Sequence, residues 1–119
     1  MPSTTSYKRG DVVLVPFPFT DLTSVKQRPA LVISADTLNQ IRPDILVAAI
    51  TSQIPAQRAE DEIFISSEEA AQWGLPKASI IRLTKLFSIH QQLILKRLGH
   101  APKNALESIL QKLQKQFEV

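Results

Sequence analysis

The most constraining feature of this chain is the length of its apolar runs. There are six: DVVLVPF (11–17), RPALVIS (28–34), ILVAAIT (45–51), DEIFI (61–65), SIIRL (79–83) and LILKRLG (93–99). Each is too short for a helix of ordinary length and most are rich in β-branched residues, so they read as strands. Pro16 and Pro18 confine the end of the first run to a sheet edge or a bulge. FTDLTSVKQ (19–27) supplies loop residues between the first two runs. ADTLNQIRPD (35–44) is polar and loop-like, with room for one helical turn. TKLFSIHQQ (84–92) fits neither class cleanly.

Two segments do read as helices. SSEEAAQWGL (66–75) places Ser66 and Glu69 at capping-box spacing and Gly74 at a natural stop. In the tail, Leu106, Ile109, Leu110, Leu113 and Phe117 form one apolar stripe, with Lys103, Lys112 and Lys115 free for the wet face. Pro102 suits the first turn of that helix. The helical segments do not alternate with the strands, which disfavours a parallel βαβ sheet. The expected fold is mostly β with appended helices: a small, strongly bent sheet or barrel with a C-terminal amphipathic helix.

A chain of 119 residues is sized for one domain over 1–119, with residues 1–8 expected to be flexible. Cysteine is absent, so thiolate chemistry, disulfides and thiolate metal sites drop out. The start MPSTTSYKRG has no apolar signal core and no run is long enough to span a membrane, so a cytoplasmic protein is expected. Fourteen Lys and Arg against eleven acids give a charge of +3, which permits a nucleic-acid partner without requiring one.

Several catalytic designs fail on inventory. Gly10, Gly74 and Gly99 are isolated, so there is no phosphate-cradling glycine loop. His90 and His100 lack partners at metal-ligand spacing and read as exposed loop residues. Asp21, Asp36 and Asp44 are scattered among loops. No metal or cofactor is expected.

What remains is a set of polar groups at strand ends. Arg28 opens the second strand, while Thr51, Ser52 and Gln53 close the third. If these strands pair antiparallel, Arg28 and Thr51 share one rim of the sheet. A guanidinium beside a hydroxyl suits a phosphate, because the first is planar and permanently charged and the second adds one hydrogen bond. On residue chemistry alone the plainer alternative stays ahead: Arg28 in a surface ion pair, Thr51 a β-branched strand end.

The order of the motifs adds to this. RGDVVLVPFPFTDLTSVKQRPALVIS resembles the opening of the MazF/PemK-type toxins of bacterial type II toxin–antitoxin systems, in which a Gly-Asp strand start leads through a loop to an Arg-Pro strand. ILVAAITSQI is similar to their third strand, which ends in Thr, a small residue and Gln. ASIIRLTKLFSIHQQLILKRLG resembles the later strands. The likeness runs from about residue 8 to residue 117.

The resemblance implies an SH3-like, CcdB/PemK-type barrel that forms a homodimer. It implies a metal-independent endoribonuclease that cuts single-stranded RNA, including mRNA, to 2′,3′-cyclic phosphate and 5′-hydroxyl ends, restrained by a cognate antitoxin protein. It places the catalytic roles on Arg28 and Thr51, with Lys26, Gln27, Ser52, Gln53 and Lys85 as candidate RNA contacts. A permanently protonated guanidinium is a poor base, which assigns Arg28 to charge stabilisation and acid work. Asp36, Asp44 and His90 are the reserve candidates for the base.

Two departures from relatives are visible. The loop 19–27 lacks glycine, and Thr84-Lys85 stands where several relatives carry an acid followed by Gln. Two alternatives come from other classes. One is a same-fold toxin aimed at a protein such as DNA gyrase, against which the ending QKQFEV and the internal Trp73 argue. The other is a non-catalytic nucleic-acid or protein-binding barrel.

Overall fold

The structure, a computed structural model, describes residues 6–17 and 26–118. The expectations for residues 1–5, for Pro18, for Asp21 and for most of the 19–27 loop lie outside the described residues. Six strands form one antiparallel sheet: β1 (Asp11–Phe17), β2 (Lys26–Val32), β3 (Asp44–Thr51), β4 (Glu62–Ile65), β5 (Ser79–His90) and β6 (Lys96–His100). They run in the order β4-β5-β3-β2-β1-β6, and the sheet curls into a half-barrel. Among the described residues three α-helices accompany it: α1 (Asp36–Ile41), α2 (Ser67–Trp73) and α3 (Lys103–Lys115).

Side-chain alternation divides the apolar residues between the two faces of the sheet. Val12, Leu31, Ala48, Ile50, Ile81 and Leu83 point inward and pack with Trp73 of α2 and Ile109 of α3. Val13, Val15, Ala30, Val32, Ile45 and Val47 form a second buried cluster on the outer face, with Ile89, Ile94, Tyr7 and Phe87. Both faces of β2 and β3 are therefore apolar near the middle of the sheet, which is why those strands read as continuous hydrophobic runs.

α2 is built as its sequence predicts. Ser66 Oγ accepts from Glu69 N, Glu69 Oε1 accepts from Ser66 N, and Gly74 ends the helix at φ 84°. The helix packs against both edge strands, β4 and β6. Its end lies so close to β6 that a Cβ on Gly74 would stand 2.1 Å from the Leu98 carbonyl oxygen, and one on Gly99 2.2 Å from that of Trp73. These two glycines let helix and strand backbones touch.

Pro16 sits where its chemistry allows. β6 pairs only with Asp11–Leu14, so β1 is flanked by β2 alone at Pro16. The helical turn allowed for in 35–44 is α1, anchored by buried Asn39. Its Nδ2 donates to Tyr7 O and Ser34 O at 3.0 Å, and its Oδ1 accepts from Ser34 Oγ at 2.6 Å.

Some boundaries differ from expectation. The second strand begins and ends two residues earlier than 28–34. The stretch 84–90, unreadable by pattern, continues the fifth run into a twelve-residue strand. Its pairing with β3 jumps from Ala48↔Leu86 to Ala49↔Arg82, so Leu83, Thr84 and Lys85 fall in the step between the two registers. A bulge of this kind breaks the two-residue period by which strands are recognised. The sixth strand starts at Lys96 rather than 93, because Gln91–Leu93 is a 3-10 turn.

His90 and His100 end strands instead of lying in loops. His90 Nδ1 accepts from Gln92 N at 3.1 Å, and His100 Nδ1 lies 2.8 Å from Asp11 Oδ1. Pro102 is the cap residue just before α3, and Phe117, beyond the end of the helix, leaves the packed stripe and is 67% exposed. Among the described residues no helix is long and apolar enough to cross a membrane.

Candidate active site

β2 and β3 pair through Ala30↔Ala49, Leu31↔Ala48 and Val32↔Val47. Continued two positions, the same register sets Arg28 across from Thr51. Directly opposed residues share a face, so Arg28, Ala30, Ala49 and Thr51 all belong to the outer face of the sheet. The residue before a proline is held extended, and Pro29 fixes Arg28 in that way. Pro29 also stands where the β2–β3 ladder ends, so a gap lies between the two side chains.

The gap is the floor of a cleft of about 140 Å³ lined by Arg28, Ala49, Ile50, Thr51, Gln53, Arg82 and Lys85. Room of that size takes several waters, or the phosphate groups of a short RNA segment in their place. Among the described residues its walls carry three cations and no anion. Arg28 and Thr51 are half-buried. Thr51 Oγ1 accepts from Gln53 N at 3.1 Å, so one lone pair is used and the hydroxyl proton is free to be donated.

The ion-pair alternative for Arg28 fails among the described residues. The salt bridges there are Arg82–Glu62, Arg97–Asp11 and His100–Asp11, and none involves Arg28.

Of the residues singled out from sequence, the structure brings Arg28, Thr51, Gln53 and Lys85 together. Lys26 and Gln27 are exposed on the outer stretch of β2, and Ser52 is exposed just past β3; none of the three lines the cleft. The reserve bases are displaced altogether. Asp44 opens β3 seven residues from Thr51, about 23 Å at 3.3 Å per residue. His90 pairs with Asp44 at that far end, and Asp36 accepts from Arg9 N at 2.7 Å on α1. All three are corrected to the opposite rim, a placement fixed by which way β3 runs.

Sequence reasoning missed Arg82. Its neighbour on β3 is Ala49, which only the bulged pairing reveals. Across the other edge it opposes Glu62 of β4, with Nε 3.4 Å from Glu62 Oε2. Nearby, Thr84 Oγ1 donates to Asp61 Oδ2, and Leu83 N donates to Asp61 O at 2.8 Å, which pins the bulge. Among the described residues no three Asp, Glu, His or Cys side chains converge as a metal-binding group.

Residues 8–117 match a family described as PemK-like, MazF-like toxin of type II toxin-antitoxin system. The chain is 31% identical over 113 residues to endoribonuclease EndoA of Bacillus subtilis (strain 168), covering 90% of each sequence. Its fold is similar to a chain of the MazE–MazF structure from Deinococcus radiodurans, with a TM-score of 0.74, 18% identity and coverage of 94% of this chain and 96% of that one. It is also similar to a mycobacterial endoribonuclease solved with its cognate antitoxin, with a TM-score of 0.73, 13% identity and coverage of 92% and 93%. A family match over nearly the whole length, joined to the curled sheet and terminal helix, settles the classification: the chain belongs to the PemK-like, MazF-like toxins of type II toxin–antitoxin systems.

Proposed function

We propose that this toxin is a metal-independent endoribonuclease acting on single-stranded RNA, with Arg28 and Thr51 as its catalytic residues. The observation that carries the reading is their meeting, from adjacent strands, in a cleft whose charged lining among the described residues is cationic. The 31% identity to EndoA, over an alignment that covers 90% of the chain, supports the same activity.

In the reaction, the ribose 2′-hydroxyl gives its proton to water in the open cleft and its oxygen bonds to the adjacent phosphorus. The bond from phosphorus to the 5′-oxygen breaks, and that oxygen takes up a proton. The products are a 2′,3′-cyclic phosphate and a 5′-hydroxyl. Negative charge grows on the non-bridging oxygens and then on the leaving oxygen. The Arg28 guanidinium neutralises it and, close to the leaving oxygen, assists its protonation. The Thr51 hydroxyl holds a non-bridging oxygen as an oxyanion-hole donor does. Gln53 and Lys85 contact the RNA inside the cleft. Lys26, Gln27 and Ser52 meet it only where it leaves.

The toxin works as a homodimer in the cytoplasm, and a cognate antitoxin silences it by covering the cleft. The antitoxin complexes of the structural relatives support such a partner. The test is to incubate the pure protein with RNA in chelator and map the new ends. Cyclic-phosphate ends from the wild type, absent with Arg28→Ala, are expected. No cleavage by the wild type, or equal cleavage by the variant, overturns the reading.

A further inference from the structure

We infer that Arg82, held by Glu62, binds a second phosphate of the RNA, the one adjacent to the phosphate cut between Arg28 and Thr51. This rests on the ribonuclease reading and extends it to a residue that strand-pattern reasoning passes over.

The placement comes from two registers. Arg82 is directly across from Ala49 on β5, and Ala49 lies two residues before Thr51 on β3. Arg82 thus shares the outer face with Thr51 and Arg28 and lines the same cleft. Arg28 and Arg82 stand on β2 and β5 with β3 between, about 9.6 Å apart across the sheet and about 6.6 Å along it, or roughly 12 Å from backbone to backbone. That separation suits two successive phosphates better than one. Ala49 between them is too small to fill the gap.

The guanidinium is anchored but not consumed. Its Nε is buried, faces Glu62 Oε2 at 3.4 Å and makes no hydrogen bond, while 40% of the side-chain surface remains open. Glu62 is itself fixed, since its Oε1 accepts from Ala59 N at 2.8 Å. An arginine steadied through Nε keeps its outer edge of two Nη groups, the edge that pairs with phosphate oxygens. Arg82 would act on binding, because the neighbouring phosphate gains no charge as the bond breaks. Glu62 is a positioning residue.

The test uses an RNA oligonucleotide with a 2′-deoxy sugar at the cut site, which binds but lacks the nucleophile. Its affinity is measured against salt for the wild type, Arg82→Ala, Arg82→Lys and Glu62→Gln. Removing one phosphate contact on a single strand should flatten the log–log salt slope by about 0.7. Arg82→Ala is expected to bind about tenfold more weakly with that flatter slope and to keep kcat within about threefold on cleavable RNA. Arg82→Lys should retain the slope, and Glu62→Gln should retain it with a few-fold loss of affinity.

Neutral methylphosphonates are then placed, one at a time, on either side of the cut site. One of the two should cost the wild type about tenfold and cost Arg82→Ala nothing. An unchanged slope in Arg82→Ala, or wild-type binding indifferent to both neutral linkages, overturns the proposal even if a variant misfolds. Failure of the wild type to cleave ordinary RNA would instead overturn the ribonuclease reading, since the binding measurements need no cleavage.

Discussion

Arg28 and Thr51 face each other across adjacent strands because Ala30 pairs with Ala49 two residues away. Among the described residues neither side chain forms an ion pair or hydrogen bond that explains its presence structurally, apart from the hydrogen bond that orients the Thr51 hydroxyl. Losing one preorganised donor to a developing oxyanion typically costs about 10²–10³ in rate. Thr51→Val, nearly the same shape, should slow single-turnover cleavage about 10²-fold, and Arg28→Ala about 10³-fold. Arg28→Lys should recover little, because a point charge lacks the planar fork. The two sites serve one transition state, so the double variant should be scarcely worse than Arg28→Ala. Multiplying penalties would mean that the residues act independently.

Ala49 is the part of the cleft floor where size decides access. It is 5% exposed and stands directly between Ala30 and Arg82. A leucine there projects into the cleft, away from the inward-facing core. Ala49→Leu is expected to shift Tm by only a few degrees while raising KM for RNA about tenfold or more. Unaltered KM in a folded variant would show that RNA does not enter this cleft.

How far the sequence could be read depends on the range of each interaction. The Ser66–Glu69 capping box and the Gly74 stop are set by neighbours within one turn, and both stand as expected. The Arg28–Thr51 meeting needs one assumption beyond local pattern, that β2 and β3 pair antiparallel, and it stands too. Arg82 needs more. Its place at the cleft follows from a three-residue slip in the β3–β5 pairing that no alternation pattern records. Asp44 and His90 fail as bases for a related reason: a strand's polar ends look alike in sequence, and only the sheet shows which end is which. Phe117 has the right spacing for the α3 stripe, but the helix stops at Lys115 and spacing beyond a helix end has no meaning.

The closeness of α2 to β6 has a measurable consequence for stability. A Cβ on Gly99 would lie 2.2 Å from the Trp73 carbonyl oxygen, and its neighbours are backbone atoms that cannot rotate away. Gly99→Ala must push α2 off β6, at a cost of about 3 kcal/mol on the scale of overpacked sites. For a chain of this size that corresponds to a fall in Tm of roughly 10–15 °C by calorimetry. Ser66→Ala, at the opposite end of the same helix, should cost only about 1 kcal/mol. If Gly99→Ala proves the milder of the two, the contact between helix and strand is looser than the geometry requires.

Asp11 supports the opposite end of β1 and offers the cleanest test of the buried polar network. It is 4% exposed. Its Oδ1 receives Arg97 Nε at 3.0 Å and His100 Nδ1 at 2.8 Å, while its Oδ2 receives Lys8 N at 2.8 Å. An asparagine keeps the shape but has one acceptor oxygen. If that oxygen serves Arg97 and His100, its amide nitrogen faces Lys8 N, donor against donor; if it is turned over, the nitrogen faces the two side-chain donors. Either way a buried donor is stranded, and hydrogen bonds to a charged acceptor are the stronger kind. Asp11→Asn is expected to lose about 2–3 kcal/mol in urea unfolding with an unchanged m-value. Arg97→Ala leaves two of the three donors in place and should cost less. Equal losses would assign the stability to the Arg97–Asp11 pair alone instead of to the three-donor arrangement.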